Sequence, residues 1–502
     1  MLISELVSLQ KSFVPAVDLE NEQESYWERF IPIDSFNIIL KALIKSIQSN
    51  DIHERQSIWV QGRYGTGKSH AAITIKHLLS DSPENTQNYC TNVITDGELR
   101  ALLKTIRSKH RILPVLLKGT SNIFDLRSFN LAIEKAVIKA LKDNNIVIST
   151  KSDFAKHIEY LNTMQPNNGW DSFIQSNIDL HQYVANQKNL ELKLQQEDVQ
   201  VLRAFENALS SSQVMISHTN ISQWLQEVIK EVRNTTDYTE LLIFWDEATH
   251  LLELVNSDHY VKELQGIADL AASNGIYLYM ISHRNIEQLR SNISNDVLQT
   301  VMGRFKQLNY EMSSITTYQI LSASICKNRN SEYNNITDSF KEIYDSLVKI
   351  IADQTFDSKA SEQLIELWPF HPYTVFLCSY IVENIGSTER SVFKYLYDDK
   401  KGFKGYIENQ EATVASVITA DHLWEYFVDD FLNNESSNYI SVLTQWDLHK
   451  DAVTKAGDVY LKVFEGILLL NALHKSSLYL HQDKSLTAPN LKNIQNMFSG
   501  TN

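Results

Sequence analysis

The sequence predicts an α/β chain built on a parallel sheet and completed by a mainly helical C-terminal third. Three observations carry that prediction. Four short apolar runs rich in β-branched and aromatic residues alternate with helical stripes before residue 310. The first run is joined to its helix by a glycine-rich turn, and after about Tyr310 the apolar spacing is helical only.

Taken in order, Phe36, Ile39, Leu40, Leu43, Ile44 and Ile47 recur at helical spacing after Asp34, which is placed as an N-cap, so a helix is expected over 35–48. Ser57–Gln61 (SIWVQ) reads as the first strand, and GRYGTGKSHAAITIKHLL as a turn that opens a helix. Residues 112–117 (ILPVLL) form a second expected strand, followed by a helix over 128–142 whose stripe includes Ile133, Val137, Ala140 and Leu141. From about 149 to 234 the pattern is polar and helical, rich in Gln, Asn and Ser, and is read as a helical insertion. Strands resume at 241–245 (LLIFW) and 276–281 (IYLYMI), with a helix over 260–272 between them. Beyond 310 strands are expected to stop. Phe340, Ile343, Tyr344, Leu347, Ile350 and Ile351 make one helical stripe, and Leu423, Trp424, Phe427, Val428, Phe431 and Leu432 another. No repeat with a period of 20 to 50 residues is present, which excludes solenoids and propellers.

A length of 502 residues sets an expectation of two to four domains. The 43% hydrophobic and 21% charged fractions, with 15 Gly and 8 Pro, exclude collagen-like and broadly disordered classes. A net charge of -15, from 46 Lys plus Arg against 61 Asp plus Glu, repels polyanions on average, so contact with nucleic acid needs a local basic patch or a partner. Cys90, Cys326 and Cys378 are far apart and imply neither a disulfide framework nor a zinc site. The N-terminus has no secretory pattern, and the most apolar stretch, 464–473, is interrupted by Glu465 and shorter than a bilayer requires. A cytoplasmic chain without membrane contact is expected.

The strongest chemical signal is Gly62-Arg63-Tyr64-Gly65-Thr66-Gly67-Lys68-Ser69, a complete G-x-x-x-x-G-K-S between an expected strand and an expected helix, followed by His70. Glycines let backbone N–H groups turn inward on phosphate oxygens, Lys68 reaches the β and γ phosphates, and Ser69 offers a hydroxyl to Mg²⁺. ATP and Mg²⁺ are the ligands this spacing predicts. The apolar run 241–245 ends in Asp246 and Glu247. On a neighbouring parallel strand Asp246 can hold the same Mg²⁺ while Glu247 polarises the attacking water. The strand over 276–281 is expected between these two, so Ser282 or His283 at its end can face the γ-phosphate, and spacing leaves open which. Lys118 ends the second strand in a similar place. Arg304, within Met302-Gly303-Arg304-Phe305, supplies a guanidinium of the kind that stabilises a transferring phosphoryl group.

The set GRYGTGKSH, LLIFWDEATHLLE, IYLYMISHRN, the GRF around Arg304 and WPFHPYTVFLCSYIVENIGSTERSVFKYL resembles AAA+ P-loop ATPases of the origin-recognition-like kind. It is most similar to the P-loop proteins of bacterial anti-phage systems such as bacteriophage exclusion (BREX) and phosphorothioation-dependent restriction. The resemblance spans roughly residues 32–406. It implies that Arg390 is a lid arginine on the γ-phosphate, that Arg304 is an arginine finger delivered to a neighbouring subunit, and that residues 30–33 line the nucleotide pocket. The organisation it implies is an N-terminal helical segment over 1–50, an AAA+ core over 51–310 with the insertion at about 149–234, a helical lid over 311–410, and a helical, winged-helix-like domain over 411–502. Its partners would be copies of itself or other defence proteins, and DNA through a local patch or a partner. Two departures stand out: the insertion lengthens the interval between Lys68 and Asp246, and the strand-end residue is Ser282 or His283 where many members carry Asn.

Two functions follow as expectations: an ATP-hydrolysing component of a DNA-targeting defence complex, and a nucleotide-gated scaffold with little turnover. A small-molecule kinase fits poorly because no acceptor-substrate motif is evident, and no ABC-type signature is present.

Overall fold

The computed structural model describes residues 1–10, 19, 22, 25–62, 66–119, 123–166, 169–248, 257–283, 299, 303–310, 314–355, 360–384, 394–432, 437–476 and 485–501. Its strands are β1 (Val7–Leu9), β2 (Ser57–Gln61), β3 (Ile112–Lys118), β4 (Glu240–Asp246), β5 (Ile276–Ser282), β6 (Phe305–Asn309) and β7 (Ile325–Lys327). Five of them form one sheet in the order β3-β4-β5-β2-β6, every pair parallel. The four apolar runs are its four inner or longest members. The strand carrying Ser282 does lie between the phosphate-loop strand and the carboxylate strand, so β4 is separated from β2 by β5 rather than adjacent to it.

Both faces are covered, which is why β4 and β5 are buried along their whole length and read as continuous apolar runs rather than alternating ones. On one face Ile58, Val60, Leu242, Phe244, Tyr277, Tyr279 and Ile281 pack against helices α1 (Asp34–Gln48), α2 (Lys68–Ser80) and α4 (Gly97–Lys109), with α3 (Pro83–Asn92) alongside. On the other, Trp59, Leu113, Val115, Leu241, Ile243, Trp245, Leu278 and Met280 pack against α5 (Leu126–Asp143), α11 (Ile221–Thr235) and the helix Ser257–Ala268. Parallel strands joined through helices on both faces make this a doubly wound α/β core, with the glycine-rich sequence 62–69 leaving the C-terminal end of β2.

Helices α6 (Asp153–Thr163), α7 (Gly169–Ser176), α8 (Ile178–His181), α9 (Gln187–Gln195) and α10 (Val199–Ser211) bury a separate core containing Phe154, Trp170, Leu190, Leu202 and Phe205. That core includes Leu131 of α5, so α5 serves the sheet with one side and the insertion with the other. The stripe of α11, with Trp224, Leu225, Val228 and Ile229, belongs to the sheet's core. The C-terminal helices, among them Ser331–Thr355, Pro372–Asn384, Ala420–Leu432, Ser437–Ala456 and Asp458–Ser476, surround Trp368, Tyr373 and Trp424 in a third core.

Four local readings are corrected. Asp34 is not an N-cap: Ile33 is the capping residue, with no side-chain bond, and Asp34 sits in the first turn, where its carboxylate favours the positive helix end. The helix expected over 260–272 is two, Ser257–Ala268 and Leu270–Asn274, the second closed by Gly275 at φ +70°. β6 was missed because it is an edge strand with one buried residue, Phe305, and therefore shows no apolar run. Strands also do not stop at Tyr310: β7 pairs antiparallel with β1, Val7 opposite Lys327 and Leu9 opposite Ile325, a three-residue pairing between chain segments too distant for any periodicity to reveal.

Candidate functional site

The phosphate-loop residues leave β2 at the C-terminal end of the sheet, where parallel α/β proteins place ligands. Gly62 is held by its N–H to the Ser282 carbonyl at 3.3 Å, and a Cβ there would lie 2.5 Å from the Tyr310 carbonyl oxygen. The close approach of β6's exit leaves room for glycine alone. Gly67, at φ +84°, turns the chain into α2 and serves as its N-cap. The first turn of α2 therefore presents Lys68 and Ser69 together with the positive end of the helix dipole.

Lys68 is buried, with 3% of its surface exposed, and its ammonium donates to the Gly62 carbonyl at 2.8 Å and to Thr66 Oγ1 at 3.4 Å. Ser69 Oγ donates to Asp246 Oδ2 at 2.5 Å, joining residues 177 apart in the chain. Asp246 is buried at the end of β4, and burial holds its carboxyl above the usual range against the opposing hydrogen bond from Ser69. Its other oxygen accepts the Glu247 N–H at 2.9 Å. Glu247 has a left-handed backbone, φ +59°, which costs a non-glycine residue on the order of 1 kcal/mol or more and turns the chain out of the strand. The turn is fixed from both sides: Gly119 N–H donates to the Asp246 carbonyl at 2.8 Å, and Ala248 N–H to the Ile281 carbonyl at 3.1 Å.

Thus Gly62, Thr66, Gly67, Lys68, Ser69, Asp246 and Glu247 converge at one end of the sheet. The expected site residues Arg63, Tyr64, Gly65 and Arg390 lie outside the described residues. Ser282 is fully buried and its hydroxyl accepts the Trp59 indole N–H at 3.0 Å, so it lies on the α5 face of the sheet while Asp246 lies on the α2 face. His283 follows it at the strand's end, half-buried. His70 turns to the N-terminal segment: its ring stacks on Tyr26 at 4.5 Å and meets Phe30 edge-on at 5.1 Å, its Nε2 lies 3.1 Å from the Tyr26 carbonyl, and burial lowers its pKa to about 4.

Arg304 stands elsewhere. It precedes β6, and its Nε pairs with Asp269 Oδ1 at 2.8 Å. The five residues of β6 run parallel to β2, which puts the start of β6 roughly 17 Å below the phosphate-loop end. Lys118 is in register with Asp246.

Sequence reasoning missed the partners that fix these groups: Trp59 on Ser282, Gly119 on Asp246, and Tyr310 against Gly62. Only Trp59 left a signal, an indole in a strand whose N–H must find a partner once buried.

The donor set suits a hard divalent cation, since a hydroxyl and a carboxylate oxygen already in contact are the oxygen ligands Mg²⁺ takes. Among the described residues no cluster of His, Cys, Asp and Glu forms a further metal site, and no helix is long and apolar enough to cross a membrane.

No protein-family model and no curated protein matches the chain. Among solved structures it is similar to Cdc6p from Pyrobaculum aerophilum, with 12% identity, a TM-score of 0.30, and coverage of 91% of this chain and 98% of that one.

Proposed function

We propose that the protein is an AAA+ ATPase that binds Mg²⁺-ATP between residues 62–69 and Asp246 and hydrolyses it as a switch or motor. The observation that carries this reading is the 2.5 Å contact between Ser69 Oγ and Asp246 Oδ2, which joins the phosphate-loop helix to a buried strand-end carboxylate. Ser69 and Asp246 would hold Mg²⁺, which when bound neutralises charge on the phosphate oxygens. Lys68, now donating to its own loop, carries the ammonium that exchanges those oxygens for phosphate. Glu247, turned out of β4 beside Asp246, orients and polarises water for in-line attack on the γ-phosphate. Ser282 or His283 is the proposed strand-end sensor. Ser282 is engaged with Trp59 on the opposite face, which supports His283 for that role. Arg390 is proposed as a lid contact, and residues 311–410 and 411–502 as lid and C-terminal domain of a cytoplasmic protein.

Arg304 is proposed, as the resemblance implies, to serve the site of a neighbouring copy, and its distance from its own phosphate loop is in keeping with that role. Its pairing with Asp269 within the chain supports a second reading, a nucleotide-gated scaffold with slow turnover. A place in a DNA-targeting anti-phage complex is proposed on the sequence motifs alone. ATP titration and phosphate release test the enzyme reading. Lys68→Ala is expected to abolish tight ATP binding, and Glu247→Gln to retain ATP while losing hydrolysis. Wild-type hydrolysis in Glu247→Gln, with and without duplex DNA, removes Glu247 from the mechanism.

A further inference from the structure

Where the insertion meets the nucleotide core, α5 carries a buried ionic cluster that the proposed ATPase chemistry does not use. Arg127, 12% exposed, pairs through Nη1 with Asp153 Oδ2 of α6 at 2.6 Å and through Nη2 with Glu206 Oε1 of α10 at 2.5 Å. Asp153 also takes Lys156 at 3.0 Å and both the N–H and hydroxyl of Thr219, while Arg203 of α10 reaches back to Asp125, the N-cap of α5. Glu134, two turns further along the same face of α5, accepts the Asp153 N–H at 3.0 Å. Every member thus joins α5 to the insertion or braces a residue that does.

The same turn of α5 faces the nucleotide end of the sheet. Phe129, two residues from Arg127 and on the opposite side of the helix, packs its ring 5.5 Å from that of Trp245, the residue before Asp246. The Trp245 indole N–H donates to the Gly119 carbonyl at 3.3 Å, and Gly119 N–H donates to the Asp246 carbonyl. A short run of packed groups therefore leads from Asp246 through Trp245 and Phe129 to Arg127. A half-paired buried ion is costly, so the pairs of this junction are held or lost together.

We propose that Arg127 couples the helical insertion to the nucleotide site, so that the ligand bound beside Asp246 sets how firmly α6 and α10 are held on α5. This rests on the nucleotide-binding reading. Arg127 is a positioning residue that touches no substrate.

Hydrogen exchange on the full chain, with and without Mg²⁺-ATP, is the test. In the wild type, amides of α6 and α10 and of residues 212–220 are expected to change exchange rate by roughly fivefold or more on ATP addition. In the triple variant Arg127→Met, Asp153→Asn, Glu206→Gln, which removes both ion pairs of Arg127, ATP affinity is expected within about twofold of wild type while that response is lost. Arg127→Lys, which keeps the charge and one hydrogen bond, is expected to keep part of it. A response that persists in a folded triple variant, or a wild type that binds ATP without any change in the insertion, overturns the coupling and leaves the ATP reading standing. A wild type that binds no ATP overturns the nucleotide reading and the coupling with it.

Discussion

Two clusters of charge, one where α5 meets the insertion and one at the end of the sheet, are built differently. At the junction with the insertion, Arg127, Arg203 and Lys156 face Asp125, Asp153 and Glu206 in direct pairs, so the charges compensate one another within the fold. At the end of the sheet Lys68 donates to its own loop and Ser69 to Asp246, Asp246 is held above its usual range by burial, and Glu247 has a left-handed backbone. A closed cluster fixes a structure, whereas a buried carboxylate and a strained backbone meeting at a strand end form an arrangement found at functional sites. The contrast is a physical argument for the site that does not depend on recognising its motif.

The comparison can be broken most directly at Glu247. Glu247→Gln is expected to lower steady-state ATP hydrolysis roughly 100-fold or more with the fold and ATP binding intact, measured by phosphate release. The junction should behave in the opposite way, failing in stability rather than chemistry. Arg127→Ala removes the nearest cation from Asp153 and Glu206, which keep Lys156 and Arg203 at 3.0 and 3.5 Å, and is expected to cost about 3 kcal/mol in denaturant unfolding, whereas the triple variant, which removes both carboxylate charges with the arginine, costs less than that single change.

A smaller effect separates the two faces of the sheet end. Ser282→Ala leaves the buried Trp59 N–H without its acceptor and is expected to cost about 1–3 kcal/mol. If His283 rather than Ser282 is the sensor, hydrolysis per folded molecule stays near wild type.

The mildest test is pH. Burial, with Asp153 beside it, raises Glu134 to about 8, so the folded chain binds a proton there that the unfolded chain has lost. Its contribution to stability therefore falls as pH rises from the ordinary carboxylate value toward 8. Asp153, lowered to about 2 by Thr219, Arg127 and Lys156 against its burial, works in the other direction, its contribution being lost as pH falls below the ordinary range toward 2. Glu134→Gln should flatten the loss between about pH 5 and 8 in thermal melts, and a slope unchanged in that variant excludes Glu134 as its source.

The sheet and the phosphate site were legible because their signals are local. Buried strands such as 241–245 are continuous apolar runs, and Gly62 to Ser69 lie within one turn of chain. What was not legible depends on contacts between distant segments. β6 and β7 are short, partly exposed strands defined by their partners β2 and β1. Asp34 satisfies the residue preference for a cap, and the observed start is decided by the extended conformation of Ile33. Arg127 looks like any helix arginine until Asp153 and Glu206 are folded onto it.

The first ten residues belong in space to the last third of the chain: Val7 to Leu9 lie on β7, Ile3 donates its N–H to the Gln410 carbonyl at 3.0 Å, and the Gln10 carbonyl takes the Tyr397 hydroxyl at 2.8 Å. By Leu19, buried in the α2 core, and Glu22, paired with Lys76 and His77 at 2.7 Å, the chain is already on α2, and the Trp27 carbonyl accepts from Thr74 at 3.2 Å. Nine residue steps separate Gln10 from Leu19, which bounds the separation of the C-terminal helices from the α2 core at this point to about 32 Å. A change to the first ten residues therefore acts first on the C-terminal helices, and removing residues between Gln10 and Leu19 brings those helices and the α2 core under one shorter tether.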